Sequence, residues 1–460
     1  MSSEFSSLPL VPELLTAIAE LGYQQMTPIQ QQSLPVLLSG QDLLGQSKTG
    51  SGKTLAFALP ILQNLDLKKK IIQALVMCPT RELCTQVAQE IRKLGRKMIG
   101  LQVLILSGGQ EVRPQLLSLY HGAHIAVGTP GRILDLIGRR KLDLGDVSTL
   151  VLDEADRMLD MGFQEDMEAI LREIPAKRQT LFFSATFPAS IDVMSKIYQN
   201  NPVRVVIQDT QESRAPILQT VCHLDPYGKT AMLLRALRQY RPETALIFCN
   251  LKTTVATLSA ELQTEGISCL GLSGDLDQDE RNSVLARFRN GSVRVVVATD
   301  VAARGLDIKD LAMVVNYDFP IDNETYVHRI GRTGRAGQSG QAVLFVTPPE
   351  LDRFAGLQKE IGVQIPDLKF EPGPSRGVFP AALMETVFIA GGRKDKVRPG
   401  DILGALTGEA GGLSGQDIGK IEIHDKYSYV AVKKELAAEL VRKLKEGRIK
   451  GQRFFVRLLK

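Results

Sequence analysis

The chain has 460 residues, with 44% apolar and 23% charged side chains. That composition suits a soluble protein of about two to four domains, and no apolar run approaches the ~20 residues that would span a membrane. The net charge of +5 is uneven: residues 383–460 hold 16 Lys and Arg against 10 Asp and Glu, which marks the last segment as a candidate polyanion-binding appendage.

In chain order, the opening Met1-Ser2-Ser3-Glu4-Phe5 has neither a basic nor an apolar leader region, so secretion is not expected. Residues 10–207 then alternate short apolar runs with helical patterns. Strands are expected at 74–78, 103–106, 125–127, 150–152 and 180–183. Their near-continuous hydrophobicity fits a parallel sheet covered by helices on both faces. The polar stretch 208–216 reads as a linker. Alternation resumes with strands at 246–249, 293–297, 313–315 and 342–345, giving a second α/β domain over 217–350 without a second phosphate loop. Residues 364–382 are rich in proline and form a stiffened linker. From 383 the pattern is β-α-β-β-α-β, with strands near 385–390, 418–424, 427–432 and 453–458 and helices near 399–408 and 433–446. The five cysteines, Cys78, Cys84, Cys222, Cys249 and Cys269, form no CxxC pair. They neither frame disulfides nor ligate zinc at the usual spacing, and they point to buried thiols in a reducing cytoplasm.

The most informative string is Asp153-Glu154-Ala155-Asp156, which closes the apolar run Leu150-Val151-Leu152. Upstream, Gly50-Ser51-Gly52-Lys53-Thr54 has the make-up of a phosphate-binding loop, with Ser47 where that pattern wants glycine. Small residues let backbone N–H groups wrap phosphates. Lys53 would reach the β/γ oxygens and the Thr54 hydroxyl would bind Mg²⁺. Asp153 would hold the metal and Glu154 would polarise the attacking water. Ser184-Ala185-Thr186 follows another buried strand, where its two hydroxyls are expected to sense the γ-phosphate. In His328-Arg329-Ile330-Gly331-Arg332-Thr333-Gly334-Arg335, Arg332 and Arg335 are spaced as arginine fingers for a transferring phosphoryl group. The combination predicts Mg-dependent NTP hydrolysis.

With these motifs in order, about residues 5–348 resemble a DEAD-box ATP-dependent RNA helicase. The resemblance implies two RecA-like domains that close around ATP and single-stranded RNA. Phe5, Gly22-Tyr23, Thr27-Pro28-Ile29 and Gln30 resemble the adenine-reading motif; Gln30 would pair with the adenine edge and Tyr23 would pack on the base. Thr80 and Arg81, Gly109, and Thr129 with Arg132 resemble the RNA-contacting residues of the first domain. Gln278 with Arg281, and Thr299 through Arg304 to Asp307, resemble those of the second. Asp307 would also contact the ribose. Such groups suit contacts to sugar and phosphate rather than to bases. The implied mechanism bends one strand so that a few base pairs break, with hydrolysis resetting the clamp.

The tail's order suits an RNA-recognition motif. Period 2 places Phe388 opposite Val387 and Ile389, and Tyr427 and Tyr429 on one face, so three outward aromatics are expected to stack bases. Asp425 and Lys426 depart from that motif. The basic run Arg393, Lys394, Lys396 and Arg398, with Arg448, Lys450 and Arg453, offers another phosphate-binding surface. The stretch Gly391–Val432 resembles the bacterial DbpA subfamily, which implies targeting to hairpin 92 of 23S rRNA, pre-50S particles as partners, and a monomer acting in large-subunit assembly. A broad-specificity cold-shock type and a non-catalytic assembly factor are the alternatives. The stop at Lys460 favours the DbpA subfamily over the cold-shock type.

Overall fold

The computed structural model describes residues 3–47, 50–109, 111–207, 217–303, 311–334, 340–370, 379–408 and 411–459. The expected linker 208–216 and the site candidates Arg304, Asp307 and Arg335 lie outside them. The chain divides into two compact units, the first α/β domain and the second α/β domain together with the C-terminal module.

In the first unit, β1 (Leu43–Gln46), β2 (Ala74–Met77), β3 (Val103–Leu106), β4 (Ile125–Gly128), β5 (Thr149–Asp153), β6 (Gln179–Ser184) and β7 (Val203–Val206) form one sheet. Its order is β3-β4-β2-β5-β6-β1-β7, and every pairing is parallel. The sequence reading missed β1 and β7, whose apolar runs are interrupted by Gly45 and Arg204. Strand alternation sends side chains to two cores. Val76, Val151, Leu181 and Phe183 join one, while Leu75, Met77, Leu150, Leu152 and Phe182 join the other. Covered on both faces, the sheet needs the unbroken apolar runs that the sequence displays.

The second unit starts with β8 (Ile217–His223), β9 (Ala245–Cys249), β10 (Cys269–Leu272), β11 (Val295–Thr299), β12 (Met313–Asn316) and β13 (Gly340–Val346). They form a second parallel sheet, ordered β10-β11-β9-β12-β13-β8. The C-terminal module is an antiparallel sheet of β14 (Met384–Ile389), β15 (Ile418–Ile423), β16 (Ser428–Lys433) and β17 (Val456–Leu458), ordered β15-β16-β14-β17. Helices Pro399–Thr407 and Lys434–Glu446 cover one face of it, with Ile402, Leu406, Leu440 and Leu444 packed on Val387, Ile389, Val430 and Val432. All five cysteines are free and buried. No helix among the described residues is long and apolar enough to cross a membrane.

Candidate nucleotide and RNA sites

In a parallel sheet the loops that follow the strands all emerge at one edge, where ligands gather. Because β5, β6 and β1 are neighbours, the turns carrying Glu154, Ala185 and the phosphate loop lie side by side. Because β3, β4 and β2 are also neighbours, Gly109, Thr129 and Thr80 emerge along the other half of that edge. The edge therefore separates the expected nucleotide residues from the expected RNA residues.

The phosphate loop is held by its own backbone. Gly50 and Gly52 have φ of 85° and 94°, in the left-handed region where a Cβ is strained. A Cβ on Gly52 would also lie 2.3 Å from Gln30 Nε2. Lys53 opens the helix Lys53–Asn64, and its Nζ donates to the Ser47 carbonyl at 2.8 Å. The Ser47 side chain is tied to the Ser51 hydroxyl at 2.7 Å, so serine at 47 is part of the loop's bonding. Thr54 is the next helical residue and is half-buried.

Gln30 sits in the helix Pro28–Leu38. Its Oε1 accepts from Thr27 N at 2.9 Å and its Nε2 donates to Gly52 O at 3.1 Å. The amide thus fastens the adenine-motif helix to the phosphate loop, with one N–H and one lone pair beyond those bonds. Tyr23 is 39% exposed, and its hydroxyl donates to Glu90 at 2.9 Å. Burial and that carboxylate push its pKa up to about 12. Phe5 differs from the expectation. It is 3% exposed within the first domain's core, so as folded it anchors the N-terminal segment rather than offering a face to a base.

Asp153 ends β5 and is almost fully buried, and its Oδ1 has no hydrogen-bond partner among the described residues. Burial pushes its pKa up to about 7, Lys53 opposing and Glu154 adding to the rise. Glu154 adopts a left-handed φ of 55°, a conformation costing about 1–3 kcal/mol in a non-glycine residue. Its carboxylate pairs with buried Arg157 at 2.8 Å.

Asp156 reorganises the next motif. Its Oδ2 accepts from Ala185 N at 3.1 Å, Thr186 N at 2.9 Å and Thr186 Oγ1 at 3.0 Å. Asp156 N donates to Ser184 Oγ at 3.3 Å. Burial raises the carboxyl, but the Thr186 N–H, the Ser184 hydroxyl and Lys53 together hold it below its usual range. The expectation that Ser184 and Thr186 face the γ-phosphate is thereby corrected. Ser184 is fully buried, and both hydroxyls bond Asp156, so they join the β5 and β6 loops. The sequence showed Asp156 in its motif but gave no signal of this partner 30 residues away.

On the other half of the edge, Thr80 caps the helix Arg81–Leu94, accepting from Leu83 N at 3.3 Å. Gly109 has φ of 66°, and the Arg81 guanidinium fills the space that a side chain there would need. Thr129 precedes the helix Pro130–Gly138, and Arg132 on that helix lies 3.8 Å from Asp135.

In the second unit, the missed residue is Arg329. It is 1% exposed and bonds both Asp300 oxygens at 2.7 and 2.6 Å, Asn250 at 2.8 Å, Asn316 at 3.1 Å and the Asp318 carbonyl at 2.9 Å. It fixes the ends of β9, β11 and β12 behind the turn that carries Arg332. Arg332 O accepts from Leu311 N at 3.2 Å. Thr299 ends β11, its Oγ1 accepting from Ala302 N at 3.4 Å. Arg281 lies on the helix Gln278–Arg289 and donates to the Ala302 carbonyl.

The C-terminal module holds the largest departure from expectation. Tyr427 and Tyr429 do share a face with Phe388, with ring centroids 5.0–6.0 Å apart. That face is not open. Tyr429 is 3% exposed and packs with Ala286 of the helix Gln278–Arg289. Tyr427 Oη accepts from Asn282 at 3.1 Å and donates to Asp279 at 3.3 Å. Around the apolar centre, Arg289 pairs with Glu422 at 2.9 Å and Asn290 donates to Thr386 at 2.9 Å. Base stacking by these three rings is incompatible with this seat. The basic run differs: Arg393, Lys394, Lys396 and Arg398 are all exposed. Their loop is pinned by Arg393 N to His424 O and Lys394 N to Asp425 O, each 2.9 Å.

A phosphate loop and a buried acidic strand end on one parallel-sheet edge define a nucleoside triphosphatase, and a second parallel sheet with a basic appendage extends it toward a polyanion. Residues 27–194 match the DEAD/DEAH box helicase family, 228–337 the helicase conserved C-terminal domain, and 386–458 the DbpA RNA binding domain. The ATP-dependent RNA helicase DbpA of Escherichia coli K12 is 46% identical over 457 residues, covering 99% of each chain. The DEAD-box ATP-dependent RNA helicase CshA of Bacillus cereus is 44% identical over 355 residues, 77% of this chain and 67% of that one. The solved structure of S. cerevisiae Dbp5 bound to RNA and ADP BeF3 aligns with a TM-score of 0.72 and 31% identity, covering 80% of this chain and 96% of that one. The chain belongs to the DEAD-box ATP-dependent RNA helicases, and within them to the DbpA type.

Proposed function

We propose that this helicase opens short duplexes of 23S rRNA during large-subunit assembly in the cytoplasm, and that its C-terminal module docks on hairpin 92. The observation that carries the targeting is the pinned loop of Arg393, Lys394, Lys396 and Arg398. It offers ordered positive charge on a module of the DbpA type. Exposed, oriented cations suit a folded RNA, whose phosphates are fixed in space.

Within the ATPase, Lys53 holds the β/γ-phosphates and Glu154 orients the attacking water. Arg332 and Arg335 neutralise charge on the phosphoryl group. Mg²⁺, when bound, would neutralise phosphate charge, and Thr54 and Asp153 are the residues that would hold it. The orphaned Asp153 Oδ1 fits a cation, because a buried acceptor without a donor needs a compensating charge. Thr80, Arg81, Gly109, Thr129, Arg132, Arg281, Thr299 and Arg304 contact the sugar-phosphate backbone, and Asp307 the ribose.

The test is steady-state ATP hydrolysis without RNA, with poly(U), and with a 23S rRNA fragment containing hairpin 92. Strong stimulation by the fragment alone is expected. Equal stimulation by both RNAs overturns the targeting and leaves a broad-acting helicase. No hydrolysis in any condition overturns the catalytic assignment.

A further inference from the structure

The seat of the C-terminal module reaches one of the core's RNA-contacting candidates through side chains. The helix Gln278–Arg289 begins with a capping box in which Asp277 accepts from Glu280 N at 2.8 Å and Glu280 accepts from Asp277 N at 2.9 Å. Its first two turns carry Gln278 and Arg281, which resemble RNA contacts, together with Asp279 and Asn282, which hold Tyr427. Asn282 lies one turn beyond Gln278, so the two side chains are neighbours. Gln278 Nε2 donates to Asn282 Oδ1 at 3.1 Å, and Asn282 Nδ2 donates to Tyr427 Oη at 3.1 Å.

The direction of this chain of bonds follows from its far end. An ionised carboxylate only accepts, so Tyr427 gives its single proton to Asp279 at 3.3 Å. The phenolic oxygen is then left to accept. It therefore takes the amide N–H₂ of Asn282, which turns the Asn282 carbonyl toward Gln278. That carbonyl in turn draws the Gln278 N–H₂ inward. An amide side chain is close to symmetric in shape, and its hydrogen-bond partners decide which end is which. A residue 145 positions away in the chain decides it here.

We infer that Tyr427 and Asn282 are positioning residues for RNA engagement by the helicase core, the C-terminal module setting the side-chain orientation of Gln278 through the Tyr427 hydroxyl. The inference rests on the RNA-contacting reading of Gln278 and Arg281. It gives the module a second task besides targeting, and it explains a hydroxyl on a ring whose packing alone phenylalanine would satisfy.

The experiment uses the full chain and measures ATP hydrolysis against the concentration of a 23S rRNA fragment containing hairpin 92, for Gln278→Ala, Tyr427→Phe, Asn282→Ala, the double variant that combines Tyr427→Phe with Asn282→Ala, and Arg289→Ala. Tyr427→Phe keeps the ring and its packing. Arg289→Ala loosens the same seat more than two turns away from Gln278. The expected result is a half-saturating RNA concentration raised about five-fold by Tyr427→Phe and by Asn282→Ala, the worth of one hydrogen bond, with the effect on this concentration rather than on the plateau rate. The double variant is expected to match Asn282→Ala alone, because both break one chain of bonds. An unchanged Tyr427→Phe beside an impaired Gln278→Ala overturns the inference. An Arg289→Ala shift equal to that of Tyr427→Phe overturns it too, since docking alone would then suffice. An unchanged Gln278→Ala removes the reading on which it stands.

Discussion

The nucleotide edge of the first sheet and the aromatic face of the C-terminal sheet were both read from short strings, and they behave differently. At the edge, each motif follows its own strand, and parallel pairing of β5, β6 and β1 brings the loops together. Function there is set by local chain and sheet order. On the aromatic face, period 2 aligned Phe388, Tyr427 and Tyr429, yet what covers the face is the helix Gln278–Arg289, far upstream in the chain. Alternation tells which side chains share a face and is silent on what meets that face.

The largest effect that sharpens this contrast is chemical. Glu154→Gln keeps the shape and the strained turn but removes the carboxylate. RNA-stimulated ATP hydrolysis is expected to fall by about 10²–10⁴, the range for a lost general base or water-orienting group. A loss below ten-fold in steady-state assays breaks the assignment of Glu154. At Tyr429, the buried centre of the aromatic face, the expected effect is on stability rather than on chemistry. Tyr429→Ala empties a buried, well-packed site and is expected to cost about 2–4 kcal/mol. Urea unfolding followed by tyrosine fluorescence reads it, since the chain has no tryptophan. Weakened hairpin binding with unchanged unfolding would restore the ring to RNA stacking.

Much of the first site was legible because its chemistry is tied to sequence neighbours. Lys53 opens a helix after glycines, and Asp153 and Glu154 end a strand, so composition and position were enough. The partners of Asp156 were not legible, because Thr186 and Ala185 approach it only through the β5–β6 pairing. Arg329 was not legible either, since one arginine in a basic string gives no sign of being buried among Asp300, Asn250 and Asn316. In the fold, the strands with unbroken apolar runs were readable, whereas β1, β7, β8 and β10 were missed: each is broken by a glycine or by polar residues that blur the apolar run.

A smaller effect tests the electrostatics of the nucleotide edge. The Asp153 pKa is raised, to about 7, so the folded state holds a proton that the unfolded chain loses near pH 4. The associated stability is complete below that value and disappears as pH rises through about 7. Asp153→Asn has no proton to lose. Without Mg²⁺, its melting temperature is expected to gain on that of the native chain by several degrees between pH 5 and pH 8, and adding Mg²⁺ should shrink the gap. Parallel pH profiles would place the buried carboxylate elsewhere.

The smallest effect bears on how the aromatic seat is held. Arg289 and Glu422 are 2.9 Å apart, with 29% and 16% of their side chains exposed. Lys420 lies 3.3 Å from the same carboxylate, so removing Arg289 leaves Glu422 with a cation. A partly solvated pair with a substitute partner is worth about 0–1 kcal/mol, and Arg289→Ala should shift the urea midpoint only slightly. Salt should erase even that, because the pair is near enough to solvent for screening. If the seat is apolar at its centre, Tyr429→Ala must exceed Arg289→Ala several-fold at every salt concentration. If the two are equal at low salt and both vanish at high salt, charge holds the module, and the aromatic face is available to another ligand once the pair is screened.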